Sequence, residues 1–167
     1  MTMQIVEQVV DSIFLKPHSV LGGRLQLLIP EGFVPMSEEM RTTKYPNENR
    51  PAIVFTNESG TINIAVNHSP DSVFPDKLKE LHHQLDFSIR QSIPDATWRF
   101  SGFQHYHGRE WIQMEFISPA RDTNIRNIMV ATSLDNRMLA VSFNVTEDLA
   151  VDWLNAGRAV IKSLVVN

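Results

Sequence analysis

Hairpin-length breaks in the second half of the chain constrain its fold more than any other feature. Strand-like segments near 97–106, 110–117, 125–133 and 138–145 are separated by His107-Gly108, the run from Pro119 to Asn124, and Asp135-Asn136. Gaps this short, built from turn-forming residues, reverse the chain but cannot hold the crossover that parallel neighbours require, which takes about a dozen residues or more. The sheet is therefore expected to be mainly antiparallel.

Helical periodicity brackets these strands. Leu78, Leu81, Leu85, Ile89 and Ile93 form one stripe between Pro75 and Pro94, which predicts a long amphipathic helix over about 76–93. Thr146 is placed to cap a closing helix with Glu147 and Asp148 in its first turn. Its stripe is Ala150, Trp153, Leu154, Gly157, Val160, Ile161 and Leu164. A glycine inside that stripe implies close approach to a neighbouring element.

The first half is read in the same way. Ile5, Val6, Val9, Val10 and Ile13 recur at helical spacing and predict a helix over 3–14, stopped by Pro17 and Gly22-Gly23. Leu25 to Ile29 reads as a strand closed by Pro30-Glu31-Gly32, and Ser37 as the N-cap of a short helix over 37–44. A hairpin pairs 52–56 with 62–66 around Asn57-Glu58-Ser59-Gly60, and alternation in its second arm turns Asn63, Ala65 and Asn67 away from Ile62, Ile64 and Val66. The expected class is α+β, a twisted and mainly antiparallel sheet of about six to seven strands flanked by two or three helices. No linker or repeat divides the 167 residues, so 1–167 reads as a single domain with an N-terminal helical segment (1–18) and a core over 20–166.

Composition removes several functions. Fifteen Lys and Arg against nineteen Asp and Glu give a net charge of -4, which disfavours nucleic acid as a partner. The absence of cysteine excludes disulfides, thiolate catalysis and zinc or iron–sulfur sites built on sulfur. The first residues lack a basic region, and Glu7 and Asp11 interrupt the apolar run, so the chain reads as cytoplasmic. No apolar stretch approaches the roughly 20 residues of a membrane-spanning helix.

Catalytic patterns are missing as well. There is no Gly-x-Ser-x-Gly elbow, Gly22-Gly23 has no phosphate-cradle context, and carboxylates such as Glu115 and Asp122 are scattered, so no residue is assigned a catalytic role and no cofactor is called for. His105 and His107 stand two apart on a strand, where both side chains share a face and could serve a metal. The aromatic run Trp98, Phe100, Phe103, Tyr106, Trp111 and Phe116 favours a sheet core over base stacking, with Trp98 and Phe100 on a shared face.

The segment Leu28-Ile29-Pro30-Glu31-Gly32-Phe33, followed by Met36-Ser37-Glu38-Glu39 and by Lys44-Tyr45-Pro46-Asn47-Glu48-Asn49-Arg50-Pro51, resembles the N-terminal half of DcrB/PsbP-like and Mog-like domains. The element order from about residue 20 to 166 fits as well. The resemblance implies an α/β/α sandwich and a role in binding, since members of that superfamily include a Ran-GTPase partner, a photosystem subunit, envelope lipoproteins and secretion-effector chaperones. Together with the missing catalytic motifs it points to a non-enzymatic module that binds another protein, as a bacterial adaptor or effector chaperone. Tyr45, Asn49 and Arg50 are its candidate contact residues, because Tyr and Arg suit interface hot spots. The alternative is a small-molecule or metal-binding protein, or a weak hydrolase, using a sheet–helix cleft near His105 and His107. A homodimer through Ile5, Val9 and Ile13 is a third reading.

Overall fold

A computed structural model describes residues 4–48 and 50–167. Its strands are β1 (Gln8–Val10), β2 (Ile13–Val20), β3 (Leu25–Pro30), β4 (Val34–Pro35), β5 (Ile53–Thr56), β6 (Ile62–Ser72), β7 (Thr97–Tyr106), β8 (Arg109–Pro119), β9 (Asn124–Leu134), β10 (Arg137–Thr146) and β11 (Val165–Val166). The helices are α1 (Glu38–Lys44), α2 (Leu78–Ser92) and α3 (Glu147–Lys162). Seven strands form the main sheet in the order β4-β5-β6-β10-β9-β8-β7, and four form a smaller sheet in the order β1-β2-β3-β11. Every pairing is antiparallel, as the hairpin-length breaks require.

The two faces of the main sheet bury different partners. Alternation along β10 sends Leu139, Val141, Phe143 and Val145 into a core shared with Val160 and Ile161 of α3 and with Leu15, Leu27 and Ile29 of the smaller sheet. On the opposite face, Leu78 and Leu81 of α2 pack against Ile112, Met114 and Ala131. The helix-bearing connection between β6 and β7 therefore carries the chain from mid-sheet to the far edge. Gly157 lies where α3 crosses Phe143, and a Cβ there would enter the phenyl ring's van der Waals shell. The close approach implied by that glycine is real.

Three sequence expectations are corrected. The helix expected over 3–14, and the helical character assigned to 1–18, give way to the β1–β2 hairpin, with Met3 itself outside the described residues. Asp11 and Ser12 both take positive φ (49° and 67°), the two-residue turn whose twist suits a tight hairpin. Ile5, Val10 and Ile13 then pack partly against the core. Trp98 and Phe100 do not share a face. The register slips between them, so Trp98 opposes Phe116 while Phe100 opposes Glu115, and Arg99 is the extra residue of a bulge. Thr146 occupies the N-cap position of α3 with an extended backbone, but its hydroxyl makes no capping bond.

Candidate functional site

The strand register builds a polar row on the α2-side face of the main sheet. Asn63 on β6 opposes Asn144 on β10, which opposes Asn127 on β9. Asn63 Nδ2 donates to Gly60 O (3.1 Å) and to Asn144 Oδ1 (3.0 Å). Both neighbours are carbonyl oxygens, which fixes the amide orientation and turns Asn63 Oδ1 elsewhere. That oxygen is buried with no hydrogen-bond partner among the described residues. Asn127 Nδ2 donates to Ser118 Oγ (3.0 Å) and to the carbonyls of Ile125 (3.1 Å) and Phe116 (3.3 Å). Thr146, two residues beyond Asn144 on the same strand, has a buried hydroxyl that also lacks a partner.

Lys44 and Tyr45, at the C-terminal end of α1, and the β5–β6 loop complete a cleft of about 440 Å³ over this row. The loop is held by Asn57, whose Oδ1 accepts from the backbone N–H groups of Thr61 (2.9 Å) and Ile62 (3.0 Å). Lys44 Nζ donates to Gly60 O (2.5 Å). Burial pushes the Tyr45 phenol up, against the smaller opposing effect of its hydrogen bond with Asn144, so Tyr45 stays a neutral hydroxyl. No carboxylate or imidazole lines the cleft among the described residues. It offers hydrogen bonds and an apolar wall, and no acid–base pair.

Of the residues singled out from sequence, Tyr45 belongs to this cleft, while Arg50 is folded back on its own loop. The Arg50 guanidinium donates to the carbonyls of Tyr45 (2.9 Å) and Pro46 (3.5 Å), and Asn49 lies outside the described residues. The two strand-end histidines have separate surroundings. β7 ends at Tyr106, and His107 enters the turn with φ 49°, so strand alternation stops between them. His105 Nε2 stands 3.7 Å from Glu110 Oε2, both exposed, whereas His107 Nδ1 is 3.2 Å from Leu164 O. No cluster of three or more metal-ligating side chains occurs among the described residues.

Two polar clusters escaped the sequence reading. On the α2 face, Ser101 Oγ donates to Asp86 Oδ2 (2.5 Å) and lies 2.8 Å from His82 Nε2. The residue types are those of a hydrolase, but the carboxylate contacts the serine itself rather than the far nitrogen of the imidazole, so the serine–imidazole–carboxylate order of a triad is not formed, and the contacts tie α2 to β7. Arg90 grips Asp86 at 2.7 Å and lies 4.0 Å from the Trp98 ring centroid. On the other face, buried Glu115 accepts from Arg158 (2.7 Å) and Gln113 (2.8 Å), and Tyr106 donates to Gln113. The i, i+4 spacing of His82 and Asp86 was visible in sequence. Their third member comes from another element, and no local signal announces it.

No family model matches the chain, and no curated protein matches it. Solved structures do. The solution structure of cyanobacterial PsbP (CyanoP) from Synechocystis sp. PCC 6803 superposes with a TM-score of 0.65 at 13% identity, covering 98% of this chain and 95% of that one. LpqN of Mycobacterium tuberculosis, described as involved in cell envelope biogenesis, gives 0.59 at 9% identity over 96% and 98% of the two chains. A Bacteroides thetaiotaomicron VPI-5482 crystal structure gives 0.52 at 13% identity over 90% of this chain and 48% of that one. At such identities the likeness is one of fold, and it agrees with the resemblance read from the Pro30-Glu31-Gly32-Phe33 segment and the element order: the chain has the PsbP/DcrB-like fold.

Proposed function

We propose that the protein is a non-catalytic module that binds another protein chain, as an adaptor or chaperone. The observation that carries this reading is an apolar ridge on the β1–β2 hairpin. Val9 and Phe14 oppose each other across the hairpin and are 60% and 54% exposed, and Val6, which precedes β1, is 72% exposed. Among the described residues β1 is an outer strand that pairs only with β2, so its outer edge carries backbone groups unpaired by any of them next to this ridge. Apolar side chains beside an open strand edge suit another polypeptide, which can add backbone hydrogen bonds and bury the ridge together. The Tyr45–Arg50 loop supports the reading less directly, since Arg50 is bonded to its own backbone. The known members of this superfamily that act by binding point the same way.

Val9→Ser/Phe14→Ser tests it, because both side chains face solvent and their loss leaves the core intact. Tagged parent protein, cross-linked in lysate of the native organism, is expected to recover a near-stoichiometric partner that the double variant loses. Recovery of nothing by the parent, or of the same partner by both proteins, overturns the reading.

A further inference from the structure

We propose that the groove between β1 and α3 takes an extended peptide segment in which apolar residues alternate with carboxylates. This inference rests on reading β1 as a docking edge, and it names the chemistry of what docks there. A cavity of about 570 Å³ lies between Gln4, Val6 and Gln8 on one side and Asn155, Arg158 and Lys162 of α3 on the other. No residue of β2 lines it, so it opens on the edge of β1 turned away from that strand. Val10 and Ile13 flank the two-residue turn as a bonded pair, which turns the Val9 N–H and C=O outward to the same edge. Asn155 Nδ2 donates to Asp11 Oδ2 (2.9 Å) and ties the hairpin turn to α3 at one end of the groove.

Strand alternation and charge fix the pattern. Gln8 lines the cavity while Val9 stands on the exposed ridge, so a strand added to β1 alternates between the same two surroundings. Its residues beside Val9 and Phe14 meet apolar surface. Its residues beside Gln8 meet Lys162, which is exposed and makes no ion pair among the described residues, and Arg158, which gives one terminal nitrogen to buried Glu115 (2.7 Å). No carboxylate lines the cavity among the described residues, although the whole chain carries a net charge of -4. The carbonyls of Ala159, Val160 and Ile161 at the end of α3 already accept from the backbone N–H groups of Ser163 and Leu164, which weakens the negative helix pole that would oppose an anion there. The inner positions of the added strand are therefore selected for Asp or Glu, which Lys162 can meet with a charge-assisted hydrogen bond.

Panning a random dodecapeptide display library against the full chain reads this preference without presupposing a sequence. The enriched clones are expected to alternate apolar residues with Asp or Glu, and a synthetic peptide of the strongest clone is expected to protect the Val9 amide from hydrogen exchange. Lys162→Gln, an exposed change that leaves the core intact, should weaken that peptide about tenfold, as should changing the peptide's own carboxylate to the amide. The two changes together should cost little more than either alone, because they remove the same bond. Arg158 is left in place, since its loss would strand the charge of Glu115. Clones without an acidic preference, or equal binding by Lys162→Gln and the parent, overturn the proposal, and if those clones still protect Val9 the docking edge itself stands. Binding that leaves Val9 unprotected overturns strand addition and the proposal with it. A library that yields no enriched clone also overturns it, and the lysate capture with Val9→Ser/Phe14→Ser then decides separately whether the edge binds a protein.

Discussion

Single residues set the tolerances of this fold, and Gly157 is the sharpest case. Alanine is a better helix former than glycine by about 1 kcal/mol, so on propensity alone Gly157→Ala would stabilise α3. The new methyl group, however, would overlap the ring of Phe143, which is 1% exposed and enclosed by the core. Overpacking of that kind costs about 1–3 kcal/mol and outweighs the helical gain, so chemical denaturation of Gly157→Ala should show a lower midpoint with an unchanged slope. An equal or higher midpoint would mean that the sheet yields to α3. Gly157 was legible in sequence because a glycine in an apolar stripe has a local meaning. The asparagine row was only half legible: alternation turned Asn63 off the core, but its alignment with Asn144 and Asn127 depends on β6 pairing with β10, a register that no local pattern encodes. Trp98 and Phe100 failed for a related reason, since one bulged residue, Arg99, inverts the alternation rule.

At the level of elements, long periodic segments were readable and the short N-terminal one was not. The stripe from Leu78 to Ile93 spans several turns and admits no other period, whereas Ile5, Val9, Val10 and Ile13 fit either a helix or two short strands. Asp11-Ser12, a turn without glycine, gave no decisive signal for the hairpin. How α2 is held to β7 yields a pH prediction. The hydrogen bonds from Arg90 hold the Asp86 carboxyl below its usual range, against partial burial and with help from Ser101. A carboxylate whose folded-state pKa is lowered contributes stability that is full above its unfolded-state value, near 4, and is lost as pH falls through the lower folded-state value. Asp86→Asn should therefore be less stable than the parent at neutral pH by about 1 kcal/mol or less, as for a partly exposed pair, and the difference should vanish in acid. Urea midpoints for both proteins from pH 7 down to pH 2.5 measure this. A gap that persists at the acid end would assign the effect to lost hydrogen-bond shape rather than to charge.

For the whole molecule, the two sheets are joined through a closure between distant parts of the chain. The smaller sheet takes its first three strands from the beginning of the chain and its fourth, β11, from the end, where Val165 and Val166 oppose Gln26 and Leu25. Around that seam, Arg24 Nε donates to Asn167 O (2.7 Å), Asn167 N donates to Arg24 O (2.9 Å), and Leu28 N donates to Ser163 Oγ (2.9 Å). Contacts of such long sequence separation carry the largest loop-closure cost, so they are expected to form after the main sheet has assembled on α3. Removing Val165–Asn167 uncovers Leu25, now 0% exposed, and deletes the buried Val165 together with the Arg24 contacts. The expected loss is about 2–4 kcal/mol, the scale of one or two buried aliphatic side chains. Because the seam is expected to be open in the folding transition state, most of that loss should appear as faster unfolding, with the folding rate little changed. Stopped-flow chevrons of the parent and the truncated protein distinguish the cases. A slowed folding limb would place the β3–β11 pairing in the nucleus, with the smaller sheet formed early. Unchanged kinetics would mean that β11 frays independently and that the smaller sheet rests on β2 and β3 alone.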